Sequence, residues 1–308
     1  MSILEAETEI KRSPARWQAE GSLVLVALAW GTTFVAVKRV LVDVSTIYFL
    51  TLRFALASAC MLLMFAAAFR RSGARAVWRG LRGGAIVGVF LWLGYVLQTF
   101  GLKYTSAGNS GFLTGLYIIL VPLIGAAMYR RWPQIPELAG LAVASVGIVL
   151  ITLPSMNGKI TALAHMNRGD ALTIGCAVAF AVSVLLLGHY SKLQCFEAVA
   201  VGQIACVAVL SAISLVFEPP RAVWSGGVVA AVVSLAVFAT AFSFALQTWG
   251  QRYTSATRAA LIYALEPVFA LLTAVLAGGE RVTVPGMFGA ALILAGILTV
   301  ELKPAARA

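Results

Sequence analysis

Apolar positions in this chain come in long unbroken runs. Ten such stretches lie at about 21–42, 46–69, 80–101, 106–128, 137–153, 170–190, 196–217, 224–247, 255–277 and 284–302, and their interiors are almost free of charge. A helix crosses a hydrocarbon core of ~30 Å with roughly 20 apolar residues. Strands of an outer-membrane barrel would alternate apolar and polar with period two, and these runs do not. The pattern predicts an all-α polytopic membrane protein with ten transmembrane helices. The connections are mostly short and leave no room for a soluble domain.

Composition sharpens this picture. Hydrophobic residues make up 61% of the 308-residue chain and charged residues 11%, against about half and a quarter in a soluble domain. So few polar residues cannot cover a water-exposed surface, so the expected partner of the apolar surface is the lipid bilayer. Ala27-Leu28-Ala29 has the small-x-small form of a signal-peptidase site. The apolar run continues past it through Val37, and Glu5, Glu7 and Glu9 precede it, so a retained first helix is expected.

The net charge of +11 fits the positive-inside bias of short loops better than a nucleic-acid partner, and none is expected. With the N-terminus inside, fifteen of the 23 basic residues fall on cytoplasmic segments, the stretch RRSGARAVWRGLR prominent among them. Seven fall outside and Arg53 lies within a span. Both termini are therefore expected in the cytoplasm. Cys60, Cys176, Cys195 and Cys206 lie in or beside apolar runs with no C-x-x-C or Cys/His spacing, so they read as small hydrophobes. No metal and no cofactor is expected.

The chain repeats itself. Residues 97–107 read LQTFGLKYTSA and residues 246–256 read LQTWGQRYTSA, with eight of eleven positions identical at an offset of 149. At the same offset Pro136 falls on Pro285, Gly140 on Gly289 and Gly147 on Gly296. The match is clear over 91–153 and 240–302, and upstream it persists only in hydropathy. Two tandem units follow: a first five-helix repeat over 1–153, a linker over 154–168 and a second five-helix repeat over 169–308. A unit with an odd number of spans delivers the chain to the opposite face, so the second copy enters inverted. Inverted repeats are a common plan of secondary transporters, with the substrate site between the halves. The copies at 97–107 and 246–256 then mark helical hairpins at opposite faces, with Thr105 or Ser106 and Thr254 or Ser255 as N-caps.

The phrases ALAWGTTFVAVK, GLKYTSAGNSGFLTGLYIILVPL and RYTSATRAALIYALEPVFALLTAVLAGGE, in this order and within a 5+5 plan, resemble the drug/metabolite transporter superfamily, EamA type. Within that group the aromatic amino acid exporters are the nearest in pattern. The resemblance implies a basket of helices around a central cavity. It also implies a multi-pass protein of the bacterial inner membrane that exports amino acids and related metabolites; a monomer is expected.

Candidate chemistry comes from the few polar groups inside spans, each expensive to keep there. Glu266 is the only acid well inside a run. Pro267 beside it removes a backbone donor and frees the Tyr263 carbonyl, so Tyr263 and Glu266 offer a place for an ammonium group or a proton. The competing assignment pairs Glu266 with Arg258 as a packing device. Pro122 likewise frees the Ile118 carbonyl, and both prolines are candidate hinges. Gln98 and Gln247 are equivalent under the repeat, with Tyr95 and Phe244 one turn before them. An amide beside a ring suits a zwitterion with an aromatic tail, and equally an interhelical hydrogen bond. Trp30 and Thr33 lie one turn apart, and Asn109, Leu113 and Tyr117 form one row. Gly84/Gly88 and Gly111/Gly115 are G-x-x-x-G pairs that predict close helix packing.

Rival functions fit less well. A membrane enzyme needs paired acid and base groups or a metal cluster, an ATP-driven pump needs a phosphate loop, and a channel shows rings of charge. None is written here. A drug or sugar-phosphate carrier of the same superfamily remains the nearest alternative, but only Arg53 and Arg258 could meet phosphates within the spans.

Overall fold

The computed structural model describes residues 16–101, 103–105, 107–130, 132–152, 167–278 and 283–301. Most of the expected linker, residues 154–166, lies outside the described residues. Among the described residues the chain forms ten helices: α1 Arg16–Asp43, α2 Thr46–Ser72, α3 Ala74–Gly101, α4 in two parts (Ala107–Gly115 and Tyr117–Tyr129) and α5 Ile135–Thr152. The second half gives α6 Arg168–Leu193, α7 Phe196–Ser214, α8 Gly226–Ala236 continuing to Tyr253, α9 in two parts (Ala256–Tyr263 and Glu266–Gly278) and α10 Val284–Glu301. Eight of these are long and apolar enough to cross a membrane, and Val284–Val300 is a shorter apolar helix. In α8 the α-helical ladder widens into a π-helix over Val237–Phe242.

Contacts between helix ends fix which ends share a face. At one face the Ser45 N–H donates to the Arg221 carbonyl at 2.8 Å and the Val223 N–H to the Asp43 carbonyl at 2.9 Å. The Ile47 N–H donates to Glu218 Oε2 at 2.8 Å, Lys103 Nζ pairs with Glu218 Oε1 at 2.8 Å, and Thr105 Oγ1 donates to Asp170 Oδ1 at 2.5 Å. At the opposite face Cys195 Sγ meets Ser72 Oγ at 3.8 Å. There the Arg252 guanidinium lies 5.9 Å from the Phe196 ring, and Arg258 Nε lies 3.9 Å from Glu137 Oε1. The two copies of the eleven-residue motif therefore end at opposite faces, as an odd number of spans per repeat requires. Ser255 caps the second part of its hairpin by accepting from the Arg258 N–H at 3.2 Å. In the first copy Ser106 lies outside the described residues, and the Thr105 hydroxyl donates to Asp170.

The halves join along α5 and α10. A Cβ added at Gly140 would sit 2.5 Å from the Gly296 carbonyl oxygen, and one at Gly147 would sit 2.5 Å from that of Gly289. The partners are crosswise repeat equivalents, which is the signature of a pseudo-two-fold axis between the two helices. Small residues are what allow backbones to approach this closely within lipid. A second seam joins α3 to α7: a Cβ at Gly88 would lie 2.6 Å from the Gln203 carbonyl oxygen, and one at Gly202 would lie 2.5 Å from that of Leu81. Gly84 faces the Val199 carbonyl in the same seam. The other G-x-x-x-G pair behaves differently. A Cβ at Gly111 would meet nothing within 4 Å, and one at Gly115 only Ile148 Cγ2 at 3.5 Å. The expected close packing at Gly111/Gly115 is thus not found among the described residues, where no helix backbone lies within 4 Å of either added Cβ.

The Glu218 cluster gives the first face a pH dependence. Burial alone would raise the Glu218 carboxyl, but the bonds from Lys103 and from the backbone N–H groups of Ile47 and Thr46 outweigh it and hold Glu218 below the usual carboxylate range. A depressed native value means that its stabilisation is complete above about pH 4–5 and is lost as pH falls through the native value. Glu218→Gln is expected to raise the labelling rate of a cysteine introduced at Ser45 at pH 7. With both proteins labelled at the same pH, the difference should vanish on acidification, and identical rates at pH 7 would count against the clasp.

Candidate functional site

The site begins with two broken helices. In α9 the Ala264 N–H donates to the Leu261 carbonyl at 3.1 Å and the Leu265 N–H to the Ile262 carbonyl at 3.0 Å, tightening the turn before Glu266. Pro267 has no N–H to continue the ladder back to Tyr263. In α4 the Leu116 N–H donates to the Leu113 carbonyl at 3.2 Å, just before Tyr117. Leu116 and Leu265 are 149 residues apart, so both breaks occupy the same place in the repeat. Pro122 is not the cause of the first break in the way Pro267 adjoins the second, since it sits inside the helix Tyr117–Tyr129.

The first residues after these breaks, Tyr117 and Glu266, are also 149 apart, and they meet. Tyr117 Oη donates to Glu266 Oε1 at 3.2 Å. Two repeat equivalents can touch only near the pseudo-two-fold axis, so Glu266 stands on the axis that relates the inverted halves. The helix that starts at Glu266 presents its N-terminus there, which favours a negative charge. Arg258, the competing partner, is turned to Glu137.

Around this pair stands an aromatic wall. Helix α1 is drawn against Glu266 at Gly31, where an added Cβ would lie 2.6 Å from the Glu266 carbonyl oxygen. The preceding residue, Trp30, has its ring 5.6 Å from Tyr263 and 5.2 Å from Phe244. Its Nε1 donates to the Ala239 carbonyl at 3.0 Å. Ala239 lies in the π-helical turn, where Thr240 Oγ1 and Ser243 Oγ donate five residues back, to the carbonyls of Leu235 and Phe238. A π-bulge leaves carbonyls such as that of Ala239 for outside donors. Phe54 bridges onward, 6.5 Å from Phe244 and 5.0 Å from Tyr95, and Tyr95 meets Phe180 at 5.4 Å.

The repeat-related amides take equivalent places. Gln98 Nε2 donates to Thr114 Oγ1 at 3.2 Å, and Gln247 adjoins the Tyr263 hydroxyl. Thr114 and Tyr263 are again 149 apart. The second pairing lacks hydrogen-bond geometry, and both Gln247 Oε1 and the Tyr263 hydroxyl are buried without a partner among the described residues. Unsatisfied buried polar atoms of this kind call for a ligand or water.

Trp30, Tyr95, Tyr117, Gln247, Tyr263 and Glu266 are thus linked in one contiguous region, and Gln98 holds the repeat-equivalent position beside Thr114. Thr33 lies one turn along α1, where its hydroxyl donates to the Trp30 carbonyl at 2.9 Å. The side chain of Asn109 lies outside the described residues. Sequence reasoning assigned no site role to Phe54, Phe180 or Thr114, and named Arg53 only for the phosphates of the rival carrier. Arg53 carried a readable signal, being the one basic residue placed well inside an apolar run. It is 5% exposed, and its Nε donates to Thr240 Oγ1 at 2.7 Å. An open depression of about 430 Å³ lies apart from this cluster, lined by Leu97, Tyr104, Arg168, Ala171, Leu172 and Gly175.

Comparison with known proteins agrees with this architecture. The EamA-like transporter family model matches twice, over residues 19–153 and 167–302. An uncharacterized transporter of Archaeoglobus fulgidus is 34% identical over 288 residues, covering 94% of this chain and 87% of its own. The uncharacterized transporter YoaV of Bacillus subtilis is 24% identical over 284 residues, covering 89% and 94%. A crystal structure 22% identical in sequence superposes with a TM-score of 0.78 over 94% of this chain and 98% of its own, a likeness of fold. Two matches of the family model, one per half, and a relative above 30% identity across nearly the whole length place the chain in the EamA-like transporter family.

Proposed function

We propose that the protein is a secondary transporter that exports amino acids, aromatic ones among them, and related metabolites by alternating access. The observation that carries the reading is Glu266, held by Tyr117 on the axis between two inverted halves, one helix contact away from the Trp30, Tyr263 and Phe244 cluster. A carboxylate in an aromatic enclosure suits an ammonium head, since ring faces also attract cations. The unpartnered Tyr263 hydroxyl and Gln247 carbonyl add acceptors beside it. An axial site is seen equally by both halves, so rocking one against the other exposes it to either face in turn. Pro122 and Pro267 act as the hinges. The protein works as a monomer in a bacterial inner membrane with both termini cytoplasmic.

The test is uptake of an amino acid panel into proteoliposomes, with and without a pH gradient. Saturable transport of aromatic and other amino acids is expected. Transport of none of them overturns the reading, and equal rates with and without the gradient assign facilitated export rather than proton coupling.

A further inference from the structure

Arg53 is a cation in an expensive place. It sits two turns into α2, 5% exposed, in a helix long and apolar enough to span the membrane. Charged side chains at such depth are paired or functional. Among the described residues no carboxylate pairs with it, and the deep acid, Glu266, is engaged by Tyr117. The guanidinium has five N–H donors in a planar fork. Nε is used on Thr240 Oγ1 at 2.7 Å, and Nη2 lies 3.5 Å from the Ala239 carbonyl. Nη1 has no acceptor among the described residues. Three rings pack around the cation, Phe54 at 5.6 Å and Phe49 and Tyr95 at 5.9 Å. They hold its plane without neutralising it.

Its position relative to Glu266 is defined by Trp30. The Ala239 carbonyl that Nη2 approaches is the one that accepts from Trp30 Nε1. The Trp30 ring also meets Tyr263, and the next residue, Gly31, lies against the Glu266 backbone. A buried cation and a half-buried acid are therefore both reached from Trp30 and its neighbour Gly31, with Phe244 and Tyr95 in the same wall. We infer that Arg53 receives the carboxylate of the transported molecule, so that a zwitterion is held between Arg53 and Glu266 across Trp30. A planar carboxylate matches the guanidinium fork, and a single cation suits one negative charge better than a phosphate dianion. This assignment rests on the transport reading above and names the half of the substrate that Glu266 does not hold.

The test measures binding to the purified full chain, and transport in proteoliposomes, for L-phenylalanine, its amide and 3-phenylpropionate, with the matching sets for alanine and leucine. The acids are expected to bind the wild type better than the amides. Arg53→Gln is expected to weaken the acids about tenfold or more, the scale of a charged hydrogen bond, and to leave the amides within about twofold. Arg53→Lys keeps the charge but not the fork and should fall between. Equal losses for acid and amide, or a wild type that does not distinguish them, overturn the assignment and make Arg53 a clamp on the π-helical turn. If Arg53→Gln does not fold, the wild-type ranking and Arg53→Lys decide the same question. Arg53-dependent binding of 3-phenylpropionate without transport of any amino acid would sink the amino acid reading and leave Arg53 as an anion site. Transport of amino acids with no Arg53-dependent difference would do the reverse, and binding of no ligand in the panel overturns both.

Discussion

Replacing Gly147 by Leu is expected to leave little folded protein. At this position the backbones of α5 and α10 touch: a Cβ alone would lie 2.5 Å from the Gly289 carbonyl oxygen and 2.8 Å from Ile293 Cγ1. The nearest atom is backbone, so no rotamer change relieves the clash, and the helices must separate. Separation also disturbs Gly140 against Gly296, the crosswise equivalent contact. Overpacking a tight core costs about 1–3 kcal/mol or more, and a rigid backbone contact belongs at the upper end. Gly147→Ala should therefore lower the melting temperature in detergent, and Gly147→Leu should leave little monodisperse protein. Gly111→Ala is the control, because its Cβ meets nothing within 4 Å and such changes usually stay within about 0.5 kcal/mol. A Gly147→Leu protein that melts with the wild type would mean that α5 and α10 do not meet as described.

The same seam shows what sequence can reveal. Gly140 and Gly147 stood out because each recurs 149 residues later, and a recurring glycine marks a backbone that must be approached. The span count was legible from the apolar runs, and the opposite faces of the two hairpins from parity alone. The meeting of Tyr117 with Glu266 was implicit in the offset too, since the two residues are themselves 149 apart, but nothing local says which equivalents lie on the axis. The breaks illustrate the limit. Proline chemistry points to Ile118 and Tyr263, yet the interruptions fall at equivalent leucines, Leu116 and Leu265, because the packing of the two halves, and not only the missing N–H, sets where the turn tightens. Arg53 illustrates another. Its depth was visible, but its acceptors, Thr240 and Ala239, lie 187 and 186 residues away in a π-helical turn, whose sequence VFATAF reads as ordinary helix. Phe54 and Phe180 were indistinguishable from lipid-facing aromatics until the fold brought them to Tyr95.

Glu266→Gln is expected to lower transport by about ten- to a hundredfold while leaving the melting temperature close to wild type. Glutamine keeps the size of the side chain, and its amide oxygen still accepts from Tyr117 Oη, which lies 3.2 Å from Glu266 Oε1. What it loses is the negative charge and the capacity to hold a proton. A hydrogen bond to a charged group is worth about 1.5–3 kcal/mol, and about 1.4 kcal/mol is a factor of ten, which sets the expected range. Tyr117→Phe removes the donor but keeps the ring, so its effect should be smaller, a few-fold. The two changes act through one contact, so the double variant should be no slower than Glu266→Gln alone. Additive losses would mean that Tyr117 serves the substrate independently of Glu266. Unchanged transport in Glu266→Gln, with normal folding, would assign the acid to helix packing and move the ammonium to the acceptors left free nearby, the Tyr263 hydroxyl and Gln247 Oε1.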